Sequence, residues 1–129
     1  MSDLVNHPPH YNVHPSGLEA IEICRERSFN IGNVIKYCWR AGEKGSELED
    51  LRKALWYLTD ASKGLSVDEP KLSSRAQWLI ARVVQASPKD SPLAVCLRML
   101  FEPTGANWDM RAHEFRQWLG AHIEQLEKF

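Results

Sequence analysis

The chain has 129 residues, 43% of them hydrophobic and 26% charged, with a formal net charge of −1 at pH 7. That suffices for one hydrophobic core, and with no basic stripe to follow a phosphate backbone it argues against duplex nucleic acid as a ligand. No apolar run approaches the ~18 residues that span a bilayer, and Met1-Ser2-Asp3-Leu4 lacks a basic start followed by an apolar stretch, so the expected setting is cytoplasmic with no membrane contact.

Residues 1–16 read as an extended arm, Val5-Asn6-His7-Pro8-Pro9-His10-Tyr11 and then His14-Pro15-Ser16, because its prolines bar an internal helix. The first helix is expected from about Leu18 to Arg27, with Glu19, Glu22 and Glu26 on one side and Ala20, Ile23 and Cys24 on another. A second, from about Ile31 to Ala41, buries Ile31, Val34, Ile35 and Cys38 and should end at Gly42 as a left-handed cap. Its other arc gathers Asn33, Lys36, Tyr37 and Arg40.

Ser46 with Glu49 three residues on predicts a capping box opening a third helix to about Ser62. There Leu48, Leu51, Leu55 and Leu58 point inward, while Asp50, Lys53 and Tyr57 share another face. A linker over residues 64–70 divides the chain into 1–65 and 66–129. A fourth helix is expected over about Ser74–Ala86 and a fifth from Ser91-Pro92 to before Pro103. The fifth is apolar almost all round, which suits the centre of a core or an interface between copies. The sixth runs from about Asp109 to Glu127. No strand pattern appears, so the fold class is all-α: a compact bundle of about six helices with an extended N-terminal arm. Cys24, Cys38 and Cys96 are odd in number and widely spaced, as free buried thiols would be. The five tryptophans are expected to pack rather than to stack on bases.

Three constellations could carry chemistry. Lys36 and Arg40 lie four apart with Asn33 one turn earlier, a spacing that can clamp a phosphate or carboxylate. Glu19-x-x-Glu22 and Glu47-x-x-Asp50, with Glu49 between the latter two, resemble the carboxylate pairs by which all-α nucleoside triphosphate pyrophosphohydrolases hold magnesium. Glu47 and Glu49 also suit a first helical turn for capping and dipole reasons, and Lys53 stands where that superfamily expects an acid. His7, His10 and His14 have spacings compatible with zinc, but no cysteine completes the set. Gly42-x-x-Gly45-Ser46 is too short for a Walker A loop.

Taken together, Val5-Asn6-His7-Pro8-x-His10-Tyr11, Gly17-x-Glu19-Ala20-Ile21-Glu22, Gly32-Asn33-x-x-Lys36-Tyr37-x-x-Arg40-Ala41-Gly42, Lys44-Gly45 and Glu49-Asp50-Leu51-x-Lys53-Ala54-x-Trp56-Tyr57-Leu58 resemble a small domain widespread in bacteriophages. That family, long of unknown function, includes a nucleotide kinase of the T7-type phages that lacks a Walker motif. The resemblance covers about residues 4–63 and implies a nucleotide ligand. In a kinase acting on deoxynucleoside monophosphates with ATP as donor, Lys36, Arg40 and Lys53 would neutralise the transferred phosphoryl group, with Asp50 beside them. Magnesium would fall to Glu19, Glu22, Glu49 and Asp50. Asn6, His7, His10, Tyr11, Asn33, Tyr37 and Tyr57 would bind the substrate, with His10 or Tyr11 of the arm contacting base or sugar. The alternatives are magnesium-dependent nucleotide pyrophosphohydrolysis and a non-catalytic protein that sequesters a nucleotide or engages a host protein. A homo-oligomer is expected.

Overall fold

A computed structural model of the chain describes residues 14–43, 46–63, 69–102 and 107–128. Six helices follow in order: α1 (Ala20–Cys24), α2 (Phe29–Ala41), α3 (Glu47–Lys63), α4 (Ser74–Ala86), α5 (Pro92–Phe101) and α6 (Trp108–Glu127). There is no strand among the described residues, and the all-α expectation holds.

Side-chain caps set most of the helix starts. The hydroxyls of Ser28, Ser73 and Ser91 accept from the backbone N–H of Ile31, Ala76 and Ala94, and Asn107 does the same for Met110. Ser28 therefore opens α2 two residues earlier than its apolar stripe alone suggests. Pro92 occupies the first turn of α5, where its missing N–H costs nothing. Ser46 Oγ donates to Glu49 Oε2 at 3.3 Å before α3.

Two expectations at helix ends are corrected. α1 is only five residues long, because the chain turns at Arg25–Arg27 and sends Arg27 inward. There the guanidinium donates to the Pro70 carbonyl at 2.7 Å, lies 3.5 Å from Glu69 Oε1 and stands over the Phe101 ring. Glu69 also accepts from the Ser28 N–H at 3.2 Å, so one carboxylate joins the α4 approach to the corner between α1 and α2. Gly42 has φ −84°, ordinary right-handed backbone rather than the left-handed cap. The left-handed glycine is Gly17, at φ +76°, where the chain turns into α1.

The arm's end is also held. His14 is buried rather than presented to a ligand, with its ring 4.9 Å from that of Trp39 and hydrogen bonds to Ser16 and Ser87. It is thus unavailable to the zinc-like histidine spacing, while His7 and His10 lie outside the described residues.

The core draws on both halves of the chain. Val34, Ile35 and Cys38 of α2 meet Leu51, Ala54 and Leu58 of α3, Leu97 and Leu100 of α5, and Phe115, Leu119 and Ile123 of α6. α2 lies along α3, α3 also against α6, and α5 sits among α2, α4 and α6. Pro92 to Leu97 and Leu100 are all buried, so the all-round apolar character of α5 is spent inside this molecule. Full burial of each large aliphatic side chain contributes about 1.5–3 kcal/mol before entropy. Gly32 permits the close approach of α1: a Cβ there would lie 3.2 Å from the Cys24 carbonyl oxygen. Cys38 and Cys96 are buried free thiols, whereas Cys24 is only partly buried. Burial still pushes the Cys24 thiol up to about 12. Of the tryptophans, Trp39 packs as expected, but Trp56 and Trp78 are largely exposed.

Candidate functional site

The polar arc of α2 meets α3 along one seam. In helical phase Asp50 lies four residues before buried Ala54, which places it on the inner edge of α3. Its side chain is 3% exposed, and Arg40, 40% exposed, brings Nε to 3.8 Å from Asp50 Oδ1 across the seam. That is an ion pair too long to be a hydrogen bond. Asp50 Oδ2 and Arg40 Nε have no hydrogen-bond partner among the described residues. A carboxylate withdrawn from water with unused acceptor capacity is costly in a resting protein.

One turn outward, the same seam carries stacked rings. Tyr37 and Tyr57 are parallel within 13°, with centroids 5.8 Å apart. The ammonium of Lys36 lies 5.1 Å from the Tyr37 ring centroid and that of Lys53 5.5 Å from it. Two cations thus share one aromatic ring, whose quadrupole offsets part of their mutual repulsion. Lys53 is also paired with Glu49 at 3.2 Å, one turn earlier on α3. That lysine, by hydrogen bond and then by charge, and Ser46 hold the Glu49 carboxyl below its usual range. Lys36 is exposed and makes no ion pair with a described residue.

Lys36, Tyr37, Arg40, Asp50, Lys53 and Tyr57 are therefore brought together. Asn33 lies on the same side but turns its amide back to the Phe29 carbonyl at 2.9 Å. Asn6, His7, His10 and Tyr11 lie outside the described residues.

The acids are not assembled. Glu22 accepts from the Glu19 backbone N–H at 2.8 Å and faces Arg75 of α4 at 4.0 Å, a capping role at the end of a helix that packs on α2 and α4. Glu47 faces His122 of α6 at 3.9 Å. Among the described residues no group of three or more His, Cys, Asp or Glu side chains is placed to hold a metal ion. Of the acids, Glu49 and Asp50 of α3 stand beside the clamp, while Glu22 of α1 faces α4.

Two exposed rings adjoin the seam and escaped the sequence reading. Phe29, 77% exposed, and Trp56, 61% exposed, both meet Tyr57 nearly at right angles, with centroids 6.0 and 5.1 Å away. The signal was present in the helical phase: Trp56 is two residues from both Ala54 and Leu58, roughly 160–200° from the buried stripe.

Comparisons with known proteins bear on the same segment. Residues 5–59 match the sequence profile of a protein family of unknown function, DUF3310. The gene 1.7 protein of Enterobacteria phage T3 is 40% identical over 77 residues, covering 50% of this chain and 46% of that protein. The chain spans about half the length of this curated relative. No solved structure matches. The two sequence matches support kinship with a phage small-domain family, and the profile match runs from the arm through the α2–α3 seam.

Proposed function

We propose that the chain binds a nucleotide on the α2–α3 seam and transfers a phosphoryl group from ATP to a deoxynucleoside monophosphate. The observation that carries this reading is that Lys36 and Lys53, from two helices, meet over one ring of a stacked tyrosine pair, while Arg40 joins the same two helices through Asp50. Lys53 is paired with Glu49 and Arg40 with Asp50, but Lys36 has no acidic partner among the described residues, a role that a phosphate group would fill. Resemblance to a phage family that includes a nucleotide kinase supports the choice of nucleotide, as does the match to a phage protein.

Phosphoryl transfer asks the protein chiefly to position the reactants and neutralise charge. Lys36 and Lys53 would hold the phosphate oxygens as point charges, and Arg40 would add a planar donor pair. Asp50 would fix the Arg40 guanidinium from beneath. No step is assigned to magnesium held by the protein; the ion that accompanies ATP takes most of its ligands from phosphate oxygens and water. Pyrophosphohydrolysis is the second reading, less favoured because Glu22 pairs with Arg75 of α4 and Glu47 faces His122 of α6.

The test is to incubate the protein with ATP, magnesium and the four deoxynucleoside monophosphates and identify the products by mass. Deoxynucleoside diphosphates are expected, with Asp50→Asn lowering turnover more than monophosphate affinity. Pyrophosphate release would replace the kinase reading with hydrolysis. Tight binding without product would leave a sequestering protein and sink catalysis.

A further inference from the structure

We propose that Phe29 and Trp56 form the platform on which the nucleobase stacks, reached from the phosphate clamp through the Tyr37–Tyr57 pair. This rests on the nucleotide reading above and adds to it a base subsite.

The rings form a connected series. Lys36 and Lys53 stand over Tyr37, Tyr37 stacks on Tyr57, and Tyr57 meets both Phe29 and Trp56, each step spanning 5.1 to 6.0 Å. The series begins in positive charge and ends in exposed aromatic surface, which is the polarity of a nucleotide read from phosphate to base. A partner protein would explain exposed rings but not cations held at the other end of the same row. Phe29 and Trp56 meet Tyr57 at interplanar angles of 73° and 84°, and it is their exposure that leaves ring surface for a planar ligand. Their exposures of 77% and 61% are high for side chains of this size beside a core.

Polar groups for the base edge stand at the same end. Asp60 follows Trp56 by one turn on α3, and Asn30 follows Phe29 on α2. Their side chains meet at 3.2 Å, amide to carboxylate, in an exposed position. Together they offer one donor group and one acceptor group beside the rings, the equipment needed to discriminate among bases.

Calorimetric titration with each of the four deoxynucleoside monophosphates, and separately with 2-deoxyribose 5-phosphate, tests the platform. Trp56→Ala should weaken the best-bound monophosphate roughly five- to a hundredfold, the range of one lost base stack. It should leave the sugar phosphate unchanged, and Trp56→Phe, which keeps a stacking ring, should restore most of the affinity. Lys36→Ala should weaken both ligands alike. Circular dichroism of each variant checks the fold, which an exposed residue should not disturb. Unchanged monophosphate affinity in Trp56→Ala, while Lys36→Ala still loses binding, overturns the platform and leaves the clamp standing. An equal loss of sugar phosphate in Trp56→Ala also overturns it, since the ring would then act on the clamp. If the wild type binds neither ligand, the clamp reading fails and the platform with it.

Discussion

Protonation of His14 would break hydrogen bonds built for a neutral imidazole. The Ser16 backbone N–H donates to Nδ1 at 3.0 Å, and Nε2 lies 2.8 Å from a Ser87 hydroxyl that itself donates to the Val83 carbonyl at 2.6 Å. The network therefore assigns the proton to Nε2 and leaves Nδ1 as acceptor. A second proton would set two donors against each other, in a place where burial already lowers the ring's affinity for it. Because the folded pKa lies below the unfolded value of about 6.5, the unfolded chain takes up the proton first on acidification. His14 thus contributes stability that is complete above pH ~6.5 and is lost as pH falls through the folded pKa. Urea midpoints at pH 7.5 and pH 5.5 should differ less in His14→Gln than in the wild type; equal differences would show that His14 does not titrate on unfolding. Asp50 is the other residue whose surroundings matter most, since its buried carboxylate has an acceptor unused by any described residue and lies 3.8 Å from the Arg40 guanidinium.

At the level of elements, α2 and α3 hold the seam while α1 and the segment before α4 brace it. The brace depends on Glu69, which serves both the Arg27 guanidinium and the first N–H before α2. Removing that carboxylate would leave Arg27, whose side chain is 1% exposed, as a buried charge without its counter-ion. Glu69→Ala should therefore cost about 3–5 kcal/mol, read as a lowered denaturant midpoint at constant slope. A loss under about 1 kcal/mol would mean that water reaches the guanidinium. This contact also shows what the sequence conceals. α4 could be bounded to the residue, because Ser73 supplies a cap and Ala76, Leu79, Ile80 and Val83 a clean stripe. α1 could not, because its end is set by Arg27 meeting a partner 42 positions away. The clamp residues were legible from three- and four-residue spacing on single helices. The pairing of Glu22 with Arg75 was not, since it depends on α1 packing towards α4. Trp56 was misread for a simpler reason: residue type outweighed a helical phase that already pointed it outward.

At the scale of the molecule, the C-terminal helices complete the core beneath the seam. α6 backs α3 through Phe115, Leu119 and Ile123, and α5 fills the space behind α2. The segment that matches the family profile thus presents its polar seam outward while its apolar side is covered by residues beyond that match. No described helix is long and apolar enough to cross a membrane. The seam's function then rests on whether its cations hold a phosphate. The most direct measurement is the affinity of the wild type and of Lys36→Ala for deoxynucleoside monophosphates by titration calorimetry at low ionic strength. Lys36 is exposed and unpaired with any described acid, so its loss should spare the fold. A charge-assisted phosphate contact of about 1.5–3 kcal/mol predicts roughly ten- to hundredfold weaker binding in the variant. Equal affinity in the two proteins, or no binding by the wild type, would contradict the account.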